Sequence, residues 1–113
     1  MSDYTGNDIY CDQIIPKKID IEVIHETDAV LVYYHTKPAY ELHIVVVPKQ
    51  HISDLTAIDT PSCETAELLV TLQETAREVN SAEGKARVIT NLGEYQDSKH
   101  LHFHVVVGPK LTH

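Results

Sequence analysis

Three histidines alternate with apolar residues near the end of the chain, in the stretch SKHLHFHVVVG (98–108). Successive side chains of a β-strand point to opposite faces, so His100, His102 and His104 would share one face of such a strand. A neutral imidazole near neutral pH is a nucleophile and also a metal ligand. The spacing therefore indicates a site that attacks a phosphorus or carbon atom, or binds a metal ion, rather than three unrelated exposed histidines.

The size, charge and cysteine content limit what else the chain can be. Its 113 residues suit one domain, 1–113, with a flexible tail at 1–7 and a short C-terminal tail at 109–113. The net charge of −8 disfavours nucleic acid or an anionic membrane as a partner. The two cysteines show no paired spacing, and the polar, acidic start is unlike a signal peptide. We therefore expect a reduced, cytoplasmic location.

One long helix is predicted over 60–84. Thr60 is its expected N-cap and Gly84 its stop. Apolar residues at helical spacing form a stripe that should face the core. The stripe consists of Leu68, Leu69, Leu72, Ala76 and Val79.

The remaining elements are mostly strands. Runs rich in Val, Ile and Tyr predict strands at 29–35, 42–49, 85–91 and 100–108, and the segment 20–27 alternates weakly. Residues 8–15 are typical of a short helix or a turn. The predicted fold class is α+β, with a mainly antiparallel sheet of about five strands, one long helix and a short N-terminal helix.

The triad and two further segments resemble the histidine triad (HIT) family of nucleotide hydrolases and transferases. The matching segments are IYCDQIIPKKID (9–20), LHIVVVPKQHISDL (42–55) and VITNLGEYQDSKHLHFHVVVG (88–108), in the family's order and near its spacing. The resemblance covers most of residues 9–108. It is strongest to the small, dimeric, nucleotide-binding (Hint-like) branch, so it implies a homodimer.

The resemblance also implies a reaction. His102 corresponds to the nucleophile, which attacks the α-phosphorus of a nucleoside monophosphate derivative and forms a nucleotidyl-histidine that water then hydrolyses. His104 corresponds to the phosphate contact, and His100 and His43 to supporting residues. The implied ligand is a purine nucleotide or a nucleoside monophosphate derivative, such as a phosphoramidate or a dinucleoside polyphosphate. This route requires no cofactor.

Four positions match the family's nucleotide pocket. Asn91 corresponds to the asparagine that contacts the phosphate or ribose end of the nucleotide. The positions that correspond to the lining of the base and ribose pocket are Ile9, Tyr10 and Tyr33. Each also has a purely structural interpretation, since Asn before Leu-Gly often forms a turn and such apolar residues often lie in the core.

Two positions depart from the family's pattern. His35 stands where the family has a ribose-binding carboxylate, and a neutral imidazole accepts only one hydrogen bond, which puts ribose recognition in doubt. Asp97 stands three residues before His100, where a serine near the leaving group is expected, and Ser98 follows one place later. An ionised Asp97 would repel phosphate, a protonated one would be a general acid, and a local shift would bring Ser98 into the role.

A structural zinc site is a further expectation from the resemblance. Some bacterial relatives hold zinc with two histidines and a C-x-x-C pair, of which only Cys11 is present here, with Asp8 at the other cysteine position. Asp8, Cys11, His51 and His100 would supply four ligands.

Two rival functions remain open at this point. The changes at His35 and Asp97 are compatible with a nucleotide-binding module that has little turnover. An H-x-H-x-H ladder is also a credible zinc or copper site, which would make the chain a metal-binding protein.

Overall fold

The computed structural model describes residues 8–111, so the expected tail at 1–7 and the last two residues lie outside the described part of the chain. The regular elements are the strands β1 (Glu22–Glu26), β2 (Val30–Tyr34), β3 (Tyr40–Pro48), β4 (Arg87–Ile89) and β5 (Phe103–Lys110) and the helix α1 (Cys63–Glu83). A short helical turn at Tyr10–Ile14 precedes them. The predicted α+β class, with five strands and one long helix, is confirmed.

The five strands form one antiparallel sheet in the order β1-β2-β3-β5-β4. β3 and β5 lie at its centre, and the run Val45–Val46–Val47 of β3 is fully buried. A strand covered on both faces needs such a continuous apolar run, whereas a half-exposed strand alternates. The sheet is thus covered by α1 on one face and by the N-terminal helical turn on the other.

Helix α1 begins two residues later than the sequence predicts. The Ser62 hydroxyl accepts a hydrogen bond from the Thr65 amide at 3.1 Å, so Ser62 is the N-cap and the expectation for Thr60 is wrong. Gly84 ends the helix as predicted, with a φ of 77° in the left-handed region that glycine adopts without steric cost.

The buried face of α1 differs from the predicted apolar stripe. Its buried residues are Thr65, Leu68, Thr71, Thr75 and Val79. Leu69 is 49% exposed, so its predicted place in the core is wrong. Threonine can take an inner position because its hydroxyl finds a partner within the helix: Thr75 donates to the Thr71 carbonyl at 2.8 Å.

Strand β5 starts and ends later than predicted. Residues 100–102 leave the regular ladder, and the Leu101 amide donates instead to the Ile52 carbonyl at 2.6 Å. At the other end β5 continues through Gly108 to Lys110, which pairs with Tyr40, so residues 109 and 110 are not a tail. Gly108 has a φ of 92° beside a register shift, and a Cβ there would lie 2.9 Å from the Glu41 carboxylate.

The two sides of β5 have different neighbours. Leu101, Phe103 and Val105 belong to the apolar core under α1, as the strand alternation predicts. The histidines point to the other face, toward the N-terminal helical turn. No helix in residues 8–111 is long and apolar enough to cross a membrane.

Candidate active site

A row of imidazoles crosses the sheet on the face opposite α1. The His35 amide donates to the His43 carbonyl at 2.9 Å, which continues the β2–β3 pairing and places the two side chains next to each other. His43 lies opposite Val106 on β5, so His104, two residues earlier, is its diagonal neighbour. The resulting ring centroids are 4.3 Å apart for His35–His43 and 4.8 Å apart for His43–His104.

His102 is held by the main chain in one tautomer. Its Nδ1 lies 2.7 Å from the His100 carbonyl oxygen, which can only accept, so Nδ1 carries the proton. Its own carbonyl accepts from the Thr90 hydroxyl at 2.8 Å. The other ring nitrogen, Nε2, therefore keeps its lone pair. This is the form of imidazole that attacks an electrophile.

His104 is held in the opposite tautomer by a relay through His43. The Ala39 amide donates to His43 Nδ1 at 2.9 Å, so the proton of a neutral His43 is on Nε2. That Nε2–H donates to His104 Nδ1 at 2.7 Å. His104 must then carry its own proton on Nε2. The site thus offers a lone pair from His102 beside an N–H donor from His104, with ring centroids 4.9 Å apart.

Burial keeps these imidazoles neutral. Desolvation, followed by the charges of neighbouring histidines, lowers the pKa of His43 to about 4 and that of His104 to about 3. Burial also lowers the pKa of His102, against the His100 carbonyl and the carboxylates of Asp97 and Asp8, which favour its charged form. At pH 7 His102 is therefore a neutral imidazole, and its Nε2 lone pair is available without a separate base to remove a proton.

This neutrality predicts a pH dependence of stability. Well above pH 6.5, His43 and His104 are neutral in both states, but near and below that pH they bind protons in the unfolded chain and not in the folded one. The free energy of unfolding should therefore fall as the pH is lowered from 6.5 to 5, by at most about 1.4 kcal/mol per pH unit for each such histidine. Urea unfolding at several pH values measures this slope.

The variant His104→Gln provides the comparison for that slope. Glutamine does not titrate in this range, so the variant should lose less stability than the wild type between pH 6.5 and 5. Most carboxylates titrate below this window and contribute little to it. A wild-type slope of zero, or one equal to that of the variant, would contradict the neutral, buried state of His104.

Tyr10 packs directly on the triad. Its ring centroid lies 4.9 Å from that of His102 and 5.3 Å from that of His100. Burial raises the pKa of Tyr10 to about 12, and its hydroxyl is hydrogen-bonded to Tyr33, which lies in the same core cluster. Ile9 is 44% exposed on the outside of the helical turn. Of the predicted pocket residues on this side, Tyr10 is thus the one in contact with His102.

The loop before the triad brings Asp97 near His102. Asp97 is exposed, and its charge acts on His102, His35 and Tyr10. Ser98 has a buried hydroxyl oxygen that lacks a hydrogen-bond partner within residues 8–111. Asn91 is half-buried, two residues beyond the end of β4.

His100 belongs to a separate cluster. It is fully buried, and its Nδ1 is hydrogen-bonded to the Asp8 carboxylate and lies 3.6 Å from the Cys11 sulfur. His51 Nδ1 lies 2.5 Å from the same Asp8 oxygen. In the described part of the chain, the donor atoms that could hold one metal ion all lie within 4.8 Å of one another; they come from Asp8, Cys11, His51 and His100. His102 and His104 are not among them, so the three alternating histidines do not form one metal-binding ladder.

The hydrogen bonds of this cluster favour a cation at its centre. His100 Nε2 donates to the Pro48 carbonyl at 2.8 Å, so in a neutral His100 the Nδ1 lone pair faces a carboxylate oxygen. Two acceptors in contact repel each other unless a proton or a metal ion lies between them. Burial raises the pKa of Cys11 to about 12, and the Asp8 carboxylate adds to this. A divalent ion would offset both penalties, and carboxylate, thiolate and imidazole are all zinc ligands.

Several groups that define the site have no sequence signature. The Thr90 hydroxyl and the carbonyls of His100 and Pro48 fix the histidines, as do the amides of Lys37 and Ala39. Main-chain groups contribute regardless of residue type, so the sequence cannot identify them. Thr90 alone could have been found, because it lies next to Asn91 at the end of a predicted strand.

A family model and several known proteins match most of the chain. The family model described as HIT domain matches residues 16–111. An uncharacterized HIT-like protein of Helicobacter pylori is 32% identical over 101 residues, which cover 88% of this chain and 95% of that protein. An uncharacterized 13.2 kDa HIT-like protein of Azospirillum brasilense is 30% identical over 96% of this chain and 91% of its own length.

Solved structures give the same result. A histidine triad protein from Clostridium difficile superposes with a TM-score of 0.76 at 31% identity, covering 97% of each chain. A HIT family hydrolase from Clostridium thermocellum gives a TM-score of 0.74 at 28% identity, covering 96% of this chain and all of that one. The chain therefore belongs to the histidine triad (HIT) family.

Proposed function

We propose that this protein is a nucleotide hydrolase or transferase that attacks the α-phosphorus of nucleoside monophosphate derivatives. The observation behind this proposal is the tautomer of His102: its proton is held on Nδ1 by the His100 carbonyl, which leaves Nε2 free to attack. A similar chain from Clostridium thermocellum is a HIT family hydrolase. Phosphoramidates and dinucleoside polyphosphates of purine nucleosides are the proposed substrates.

Two displacements at phosphorus would complete the reaction. In the first, His102 Nε2 forms a bond to the α-phosphorus, and the bond from phosphorus to the leaving amine or phosphate breaks. The leaving group takes a proton from solvent, and the positive charge on His102 is shared with the His100 carbonyl through Nδ1–H. In the second, water attacks phosphorus and gives up a proton to solvent, the bond to Nε2 breaks, and nucleoside monophosphate and neutral His102 are released.

His104 supports both displacements. The relay from His43 directs the Nε2–H of His104 toward the space beside the nucleophile. A fixed N–H donor stabilises the charge that develops on a phosphoryl oxygen, and it requires no reorganisation during the reaction. Asn91 is the proposed further contact to the nucleotide, and Tyr10 shields one side of His102 from water.

A covalent intermediate is the experimental test of this proposal. The protein is mixed with adenosine 5′-phosphoramidate or a diadenosine polyphosphate, with and without chelator, and quenched for intact-mass analysis. The expected result is turnover that persists with chelator and an adenylyl adduct that maps to His102. Tight nucleotide binding without adduct or turnover would favour the binding-module alternative, and turnover abolished by chelator would favour metal-dependent chemistry.

We propose in addition that Asp8, Cys11, His51 and His100 hold a structural zinc ion. When bound, zinc would neutralise the carboxylate and thiolate that meet there and tie the N-terminal segment to the triad strand. The convergence of four donor atoms within 4.8 Å supports this. The reaction itself would not need the ion, because His102 is oriented by a main-chain carbonyl rather than by a ligand atom.

The zinc proposal predicts a large change in thermal stability. At a free zinc concentration about 1,000 times Kd, binding adds about 4 kcal/mol, which is roughly 15 °C or more in Tm for a domain of this size. Chelator should lower the Tm of the wild type by that amount. Cys11→Ala should have a low Tm that chelator no longer changes, with less than one zinc per chain by elemental analysis.

The other cysteine supplies the matched control. Cys63 is an exposed free thiol at the start of α1, outside the cluster. Cys63→Ala should retain both the zinc and the response to chelator. If the wild type contains no zinc and its Tm is unchanged by added zinc or by chelator, the structural zinc site is excluded.

We also propose a cytoplasmic location and a homodimer. Neither Cys11 nor Cys63 is paired in a disulfide, as suits a reducing compartment. The apolar side chains that support pairing with a second copy are exposed on the outer side of α1 and on the edge strand β4; they are Leu69, Val70 and Val88.

A further inference from the structure

His35 lies beside the catalytic histidines but is not part of the triad or of its relay. Its ring is stacked on His43, with centroids 4.3 Å apart and planes inclined by 30°, and its centroid lies 6.1 Å from that of His104. The ring is half-buried, the Asp97 carboxylate acts on it, and the His104 ring beside it lies 4.9 Å from that of His102. It is therefore close enough to meet a ligand bound at His102.

The main chain also determines which ring nitrogen of His35 carries the proton. The Lys37 amide donates to His35 Nδ1 at 2.9 Å, so the proton of a neutral His35 is on Nε2. Burial lowers the pKa of His35, which keeps the imidazole neutral at pH 7. Its acceptor is thus already used, and within residues 8–111 its Nε2–H has no hydrogen-bond partner. What His35 offers to a ligand is one donor and no acceptor.

We infer that His35 determines ligand specificity by donating its Nε2–H to a second phosphoryl group, next to the one that His102 attacks. The inference deepens the proposed function and rests on it. His43 lies between His35 and His104, so the two N–H donors are positioned for separate acceptors rather than for one shared oxygen. A ligand with two phosphoryl groups presents two such acceptors.

The donor character of His35 selects against ligands that offer only hydroxyl donors at this position. A carboxylate here would accept hydrogen bonds from hydroxyl groups, whereas His35 cannot. An anionic phosphoryl oxygen is a stronger acceptor than a neutral one and strengthens the bond. This donor has particular value here because the net charge of −8 and the nearby Asp97 both oppose the binding of an anion.

The experiment compares three ligands on four proteins by isothermal titration calorimetry. AMP has a single phosphoryl group, ADP adds one along the chain, and adenosine 3′,5′-bisphosphate adds one on the ribose. In wild type, one of the two-phosphate ligands should bind at least about tenfold more tightly than AMP. Which of them does so identifies the source of the second phosphoryl group.

Three variants at position 35 distinguish the effects of the N–H donor, the ring shape and the charge on ligand affinity. His35→Gln can place an N–H near the position of Nε2 and should retain most of the gain, whereas His35→Phe keeps a ring without a donor and should lose it. His35→Asp replaces the donor by a negative acceptor, so the two-phosphate ligand should bind it more weakly than AMP does. His25→Gln, on the exposed strand β1, should behave like wild type.

The opposite pattern would overturn the inference. It is wrong if neither two-phosphate ligand binds wild type more tightly than AMP, if the gain survives in His35→Phe, or if His35→Asp retains the gain. Any of these outcomes in a protein that still forms the His102 adduct leaves the proposed function intact. If wild type binds no AMP and forms no adduct, both proposals fall.

Discussion

Replacing His102 with glutamine is expected to reduce turnover of adenosine 5′-phosphoramidate by about 10⁴-fold or more. The loss should be this large because the residue would form and break the bond to phosphorus, and removing a nucleophile costs far more than removing a contact. Glutamine has a similar length and can still donate to the His100 carbonyl, but it offers no nucleophilic lone pair. The measurement is kcat/KM by product analysis, together with intact-mass analysis for the adduct.

Two comparisons show whether the loss of turnover comes from the missing imidazole of His102 rather than from a general effect of the substitution. His25→Gln makes the same chemical change on an exposed strand and should retain wild-type kcat/KM. Binding of AMP to His102→Gln should change by about tenfold or less, because the lost group would act mainly on the transition state. A His102→Gln protein that is folded and keeps more than a tenth of wild-type turnover would exclude His102 as the nucleophile.

Strand alternation was enough to predict which face the triad occupies. Leu101, Phe103 and Val105 lie in the core under α1, and the histidines point to the opposite face. The alternation did not predict that His100 would separate from the other two. Its backbone leaves the ladder, and its side chain joins Asp8, Cys11 and His51, which lie far from it in the sequence. Such a grouping depends on tertiary contacts that a local pattern does not contain, and only the family resemblance put these four residues together as candidate zinc ligands.

The buried face of α1 also could not be predicted from a local sequence pattern. Hydrophobic spacing predicted Leu69 as a core residue, yet Thr71 and Thr75 lie inside and Leu69 is half exposed. Threonine is classed as polar in a hydrophobicity pattern, but its hydroxyl can donate a hydrogen bond to a carbonyl on the preceding turn of the helix. Which residues of an amphipathic helix face the sheet is decided by how the helix is oriented on it, and that orientation comes from the whole core.

The protonation pattern is the part of the site that depends most on the structure. Sequence identifies which residues are histidines, but the nitrogen that carries each proton is determined by main-chain groups. Carbonyls accept from His102 and His100, and amides donate to His35 and His43. These contacts give chemically identical side chains different protonation: His102 keeps its lone pair on Nε2, whereas neutral His35 and His43 carry a proton there.

The donor role of His104 can be tested by two substitutions that differ in one group. His104→Phe keeps a ring of similar size and removes the Nε2–H, so kcat should fall by about 10² to 10³-fold, the usual cost of removing one donor that stabilises developing charge. His104→Gln retains an N–H and can still accept from His43 through its carbonyl oxygen, so it should lose much less. Single-turnover rates with adenosine 5′-phosphoramidate compare the variants.

The same pair of variants separates catalysis from folding. His104→Phe leaves the His43 Nε2–H without an acceptor in a largely buried position, which should cost about 1 to 3 kcal/mol of unfolding free energy. A pH and temperature at which both variants are fully folded remove the effect of lower stability but do not replace the missing donor. The loss of kcat in His104→Phe should therefore persist under those conditions. If folded His104→Phe and His104→Gln have equal kcat, the N–H of His104 takes no part in the reaction, and its place in the triad is one of packing against His43 and His102.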